Sequence, residues 1–214
     1  MVQVLIMFGA GFLMPTTGFH LMSYGVKDYQ IGYWYSICTF AYLLSSFLVS
    51  FLPKTIRMTR VMLFGILVLG FGFLLVGPSP FIFGRSLIIA SIGLFVVGFG
   101  GGFMYVPSLP HMIEVSIRDY GYQEDDRLND ALSGITNMSL CIGEILGPTF
   151  ASIFYSVLGY SESADLVFLL SMVIFVIFAV FSDAFRKVSK VRSVMGKELK
   201  TEVSMESNSF LLED

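Results

Sequence analysis

Charge is scarce in this chain: only 14% of its 214 residues are charged, against about a quarter in soluble domains. There are two cysteines, Cys38 and Cys141, each inside an apolar run, so neither reads as half of a disulfide. The two histidines, His20 and His111, stand far apart, and no CxxC or HExxH spacing occurs, so no metal-ligand cluster is expected. No nucleophile–base pairing and no phosphate loop is present, and the chain does not read as an enzyme. No cofactor is called for, and no nucleic acid is expected as a partner. A secretory signal is also a poor reading of the N-terminus. It lacks a positive leading segment, and its apolar run continues through Gly18 without an A-x-A site. The glycine-rich run GFGGG (98–102) lies within apolar sequence, where close packing explains it better than nucleotide binding.

What is abundant is apolar surface: 55% of residues are hydrophobic and the mean hydropathy is +0.78. Six separate apolar runs predict transmembrane helices at about 2–22, 31–52, 61–77, 85–114, 131–158 and 164–184. A membrane-spanning barrel would instead alternate apolar and polar residues in strands of about ten. These helices would form one domain over 1–185, followed by a disordered cytosolic tail over 186–214. Eleven of the thirteen lysines and arginines fall in the second loop, the fourth loop and the tail, with only Lys27 and Arg85 opposite. Positive charge marks the cytosolic side, so both termini are expected there, which an even number of spans requires. The sequence does not distinguish plasma membrane from vesicular or endolysosomal membrane.

Polar residues inside these runs are the functional candidates. The fifth run carries Glu144 near its middle, and a carboxylate at bilayer depth costs about 2.5–3.5 kcal/mol on insertion scales. Such an acid needs a partner or a task. Ser133, Asn137, Glu144, Pro148 and Tyr155 share a broad helical face, predicted to line a wet cavity while Ile142, Leu146 and Ile153 meet lipid or other helices. The first run carries Pro15 and His20. The second carries Tyr35, Thr39, Tyr42 and Ser46 as a polar-aromatic stripe, and Trp34 near its start suits a membrane interface. In the fourth run Gly98 and Gly102 allow close helix contact, and Tyr105 stands before the helix-weakening Pro107 and Pro110. Helices one, two, four and five are thus polar-bearing, whereas three and six are almost purely apolar. Two triplets, each ending in a greasy, lipid-facing helix, are what a three-plus-three inverted repeat predicts.

Three motifs carry a resemblance to a known family. FLMPTTGFHL (Phe12–Leu21) with IGYWYSICTFAYLLSSFLVSFLPK (Ile31–Lys54), GGGFMYVPSLPHMIE (Gly100–Glu114) and LSGITNMSLCIGEILGP (Leu132–Pro148) are the segments concerned. Their order resembles helices seven to twelve of a major facilitator superfamily transporter, and is most similar to the drug:proton antiporter branch with vesicular amine and polyamine transporters. The last motif includes that branch's G-x-x-x-G-P element at Gly143, Gly147 and Pro148. Where monoamine relatives place acids, this chain has Met14, Tyr105 and Asn137, which speaks against a monoamine substrate. The G-x-x-x-D-R gating motif is replaced by Ser50, Pro53 and Lys54.

The resemblance implies transport of a small organic solute, coupled to protons and more readily by antiport, with Glu144, Asn137, His20, Tyr35, Tyr42 and Tyr105 as substrate- or proton-handling residues. Gly98, Gly102, Pro107, Pro110, Gly143, Gly147 and Pro148 would serve packing and gating. The expected partners are the lipid bilayer, the solute, protons, and a second six-helix half. That half would be a missing N-terminal portion, a separate chain or a second copy. The alternative expectation is a non-transporting membrane subunit, a regulatory remnant of a transporter.

Overall fold

Each apolar run forms a helix because, in hydrocarbon, backbone N–H and C=O groups can be satisfied only within their own segment. A computed structural model of the protein describes residues 2–53, 56–77 and 86–181. Its helices are α1 (Val2–Ser23), α2 (Ile31–Ser50), α3 (Met58–Val76), α4 (Leu87–Tyr120), α5 (Asp126–Leu158) and α6 (Tyr160–Phe181). All six are long and apolar enough to cross a membrane, and no strand occurs among the described residues. The protein is an all-α membrane protein. Lys54, residues 78–84, Arg85 and the expected tail over 186–214 lie outside the described residues.

Helix ends depart from the apolar runs where local capping overrides hydropathy. α4 continues to Tyr120 rather than ending near 114, and α5 begins at Asp126 rather than 131. The expected long loop over 115–130 is therefore only a short turn. Arg118 bridges Glu114 one helical turn back at 3.0 Å, an (i, i+4) ion pair. Gly121, with φ of 72°, closes α4 in the left-handed region that glycine enters without steric cost. The Asp125 carboxylate accepts the Leu128 N–H at 2.8 Å and caps α5. At 34 residues α4 is about 51 Å long, well beyond the hydrocarbon thickness, so its polar end stands clear of the bilayer. α6 likewise begins at Tyr160 rather than near 164, so residues 160–163 belong to the helix.

Consecutive helices alternate in direction, and the contacts show it. On α1 and α5, Phe8 meets Gly143 and Gly147, Gly11 meets Pro148, and Phe19 meets Tyr155, so these two helices run parallel. On α2 and α4, Cys38 meets Gly98 and Ser45 meets Gly102, again parallel. α3 runs antiparallel to α4, with Val76 against Gly93 and Met104 against Gly65. It also runs antiparallel to α6, with Gly70 near Ser171 and Gly77 near Ala164. Exchanging α1 with α4, α2 with α5 and α3 with α6 turns the α1–α5 pair into the α4–α2 pair and the α3–α6 pair into itself. This is the three-plus-three relation expected of half a major facilitator fold.

The core lies between α1, α3 and α4. Phe12 and Phe73 meet edge to face at 6.0 Å, surrounded by buried Leu5, Ile66, Leu69, Leu94 and Met104. α3 is thus not simply lipid-facing: it buries one side against α4 and α6, and turns Phe64 and Phe71 outward. α2 and α5 differ from the core helices. Each buries a narrow line, Ala41, Ser45 and Val49 on α2, and Leu132, Thr136, Gly143, Gly147 and Ala151 on α5. The remaining faces of both are largely uncovered.

Candidate functional site

The buried line of α5 is made of small residues at helical spacing, which lets it sit directly on α1. A methyl group on Gly147 would lie 2.6 Å from the Phe8 carbonyl, and one on Gly143 would lie 2.5 Å from the Val4 carbonyl. Only a hydrogen fits there. With that edge committed to α1, the faces of α5 beside and beyond it carry Glu144, Asn137 and Cys141, all exposed in the six-helix unit. Spacings of four and three residues set these three along one stripe. Glu144 makes no hydrogen bond or ion pair among the described residues. Around it stand exposed Met138, Ile142, Ile145 and Phe150. Ile142, Leu146 and Ile153 are exposed with the acid rather than packed against other helices.

The second group lies on α2 and α4. A methyl group at Gly98 would strike the Cys38 carbonyl, and one at Gly102 would strike the Ser45 hydroxyl, so α4 closes on α2 over two turns. Above this contact the half-buried rings of Tyr42 and Tyr105 meet edge to face at 6.3 Å. Tyr35, two stripe positions before Tyr42, already has its hydroxyl engaged. It donates to the Met14 carbonyl at 2.7 Å and reaches the Leu13 carbonyl at 3.2 Å. Those carbonyls adjoin Pro15, where the α1 backbone has lost a donor. Tyr35 therefore braces α1 against α2 beside the proline. The Thr39 and Ser46 hydroxyls turn back to carbonyls of their own helix.

His20 belongs to a third place. Its ring is buried, stacked on Tyr160 of α6 at 3.9 Å and met edge-on by Tyr24 at 4.9 Å. The Tyr160 hydroxyl pairs with Thr17 at 3.0 Å. This aromatic cluster stands at the level of Tyr155, about eleven residues or 16 Å along the axis from Glu144. The structure therefore joins Tyr42 to Tyr105, lines up Asn137 with Glu144, and keeps His20 at one end. Of the prolines, Pro107 is fully buried in α4, Pro110 is exposed, and Pro148 touches α1 at Gly11.

One polar cluster escapes any reading by hydropathy. The buried Gln3 amide nitrogen donates to the Ser108 hydroxyl at 2.9 Å and to the Thr136 hydroxyl at 3.2 Å. Ser108 in turn donates to the Tyr105 carbonyl at 2.8 Å. Three helices, α1, α4 and α5, are tied at one end by a single side chain. The partners lie 105 and 133 residues from Gln3 in sequence, and a lone glutamine two residues into an apolar run carries no local signal.

No protein-family model matches the chain. Among curated proteins it is similar to the human MFS-type transporter SLC18B1, at 25% identity over 195 residues, covering 88% of this chain and 42% of that protein. The chain thus spans less than half the length of the curated relative it matches. This likeness and the six apolar helices support a half of a facilitator-like transporter embedded in a bilayer.

Proposed function

We propose that the chain is one half of a proton-coupled secondary transporter for a small organic solute, working by antiport, with Glu144 as the proton-carrying residue. The observation that carries this reading is the position of Glu144 on the side of α5 that the six helices leave uncovered. A carboxylate turned to acyl chains would cost about 2.5–3.5 kcal/mol, with no compensating hydrogen bond. That side of α5 is therefore a face for water and a second set of helices, not for lipid. The uncovered side of α2 belongs to the same opening, and a second six-helix half would enclose a seam between them.

Within such a seam Glu144 exchanges between protonated and ionised forms as the two halves rock. Asn137, on the same stripe, offers a neutral donor and acceptor to the solute. Tyr42 and Tyr105 supply an aromatic wall. His20, buried among tyrosines at one end, acts as a closing element rather than as a contact of the solute at Glu144. With Met14, Tyr105 and Asn137 where monoamine carriers place acids, the seam holds one carboxylate, which suits a solute other than a monoamine. Both termini face the cytosol in this scheme, because lysine and arginine concentrate on that side.

The test is reconstitution in liposomes together with a co-expressed second half, with a pH gradient imposed and its decay followed by a trapped pH-sensitive dye. Decay that depends on an added solute is expected from the unaltered chain, and its loss from Glu144→Gln. Equal solute-dependent decay in both would remove Glu144 from the mechanism.

A further inference from the structure

Gln3 is placed to do more than fill space. Its side-chain amide sits where α1, α4 and α5 converge, and both hydroxyls it engages are nearly as buried as it is. Each of those hydroxyls adjoins a residue of the proposed seam. Thr136 immediately precedes Asn137 on α5. Ser108 is fixed to the Tyr105 carbonyl on α4, between Pro107 and Pro110.

The local mechanics make such a tie consequential. Pro107 and Pro110 each remove a backbone donor, so this stretch of α4 is held by fewer internal hydrogen bonds than the helix on either side. α5 at this level has only a narrow buried line, Leu132 and Thr136, to fix its rotation about its own axis. A small rotation would turn the stripe of Asn137 and Glu144 away from the proposed seam. Away from water, an amide donor bonded to two hydroxyls resists both motions, because breaking either bond leaves a polar group unpaired.

We infer that Gln3 is a positioning residue of the transport seam: it sets the rotation of α5 that presents Asn137, and it pins the proline-weakened part of α4 that carries Tyr105. The inference rests on the seam reading for its importance to transport, but the tie itself can be measured without any solute.

The experiment uses the full chain in lipid nanodiscs in a Cys38→Ser background, with nitroxide labels read by pulsed electron resonance. One label goes on native Cys141 of α5 and one on Met14→Cys, an exposed reference on α1; a second sample pairs Met14→Cys with Glu114→Cys on α4 and Cys141→Ser. Thr136→Val, which removes one hydroxyl at nearly constant shape, is expected to widen the α1–α5 distance distribution alone. Ser108→Ala is expected to widen the α1–α4 distribution alone, and Gln3→Leu to widen both. Unchanged distributions in all three variants overturn the inference, and so does equal widening of both distances by every variant, which would mark a general stability contact. Access of a water-soluble relaxation agent to the Cys141 label is read in the same samples. If it is absent throughout, the seam reading fails while the ties are still judged from the distances.

Discussion

α4 and α5 are nearly equal in length, 34 and 33 residues, and both are interrupted by proline, yet they live in opposite surroundings. α4 spends its glycines on two neighbours at once: Gly98 and Gly102 face α2, while Gly93 and Gly100 face α3. Its buried Ser108 is satisfied twice. α5 spends Gly143 and Gly147 on α1 alone and leaves a carboxylate, an amide and a thiol on its open side. The difference teaches that in this fold a glycine-rich helix is a packing hub, whereas a helix with one thin seam of small residues keeps most of its surface uncovered, as the proposed lining requires. Polar groups at the hub are consumed by structure. Those on the lining stay available.

The contrast can be broken most directly at the two native thiols. Cys141 lies on the open side of α5, while the Cys38 backbone is pressed against Gly98 at the hub. In nanodiscs, a membrane-impermeant methanethiosulfonate is expected to modify Cys141 and to spare Cys38, as counted by mass spectrometry. Protection of Cys141 with reaction at Cys38 would reverse the assignment of hub and lining.

A smaller effect is expected from adding a single methyl group at the hub. Gly98→Ala forces the Cys38 carbonyl aside, an overpacking expected to cost about 1–3 kcal/mol and to lower the thermal midpoint in detergent. The smallest effect should have the opposite sign. Gly134 on α5 has open space around it, so Gly134→Ala should stabilise by about 0.4–1 kcal/mol through the unfolded chain. Similar destabilisation by both substitutions would mean that α5 is packed as densely as α4.

The sequence reading succeeded where the signal was local and failed where it was not. Glu144 was conspicuous in the sequence as a carboxylate in an apolar run, but that it stands exposed in the six-helix unit came from the structure. Gly98, Gly102, Gly143 and Gly147 were legible as contact points because small residues recur at helical spacing, though their partners were not. Tyr35 illustrates the limit: its place on a polar stripe made it a candidate to handle solute or protons, but its hydroxyl is held by the Met14 and Leu13 carbonyls of another helix. The fourth loop was overestimated because charged residues in an exposed helix look like a loop to hydropathy. Only the Asp125 cap and the Arg118–Glu114 pair mark them as helical.

The apolar pattern of the chain alone determined that this is an all-α membrane protein with six helices long enough to span, and that a carboxylate stands inside the fifth apolar run, since hydrocarbon admits such segments as helices that satisfy their own backbones. Tertiary structure decided which face of each helix is consumed. It joined Gln3 to Ser108 and Thr136, stacked His20 on Tyr160 away from Glu144, and left α5 open on its acidic side. Partition into the membrane is a property of one segment at a time, whereas helix pairing depends on shapes contributed by residues on different segments, from Val76 and Gly93 on consecutive helices to Gln3 and Thr136, 133 positions apart. No stretch of one helix contains that information.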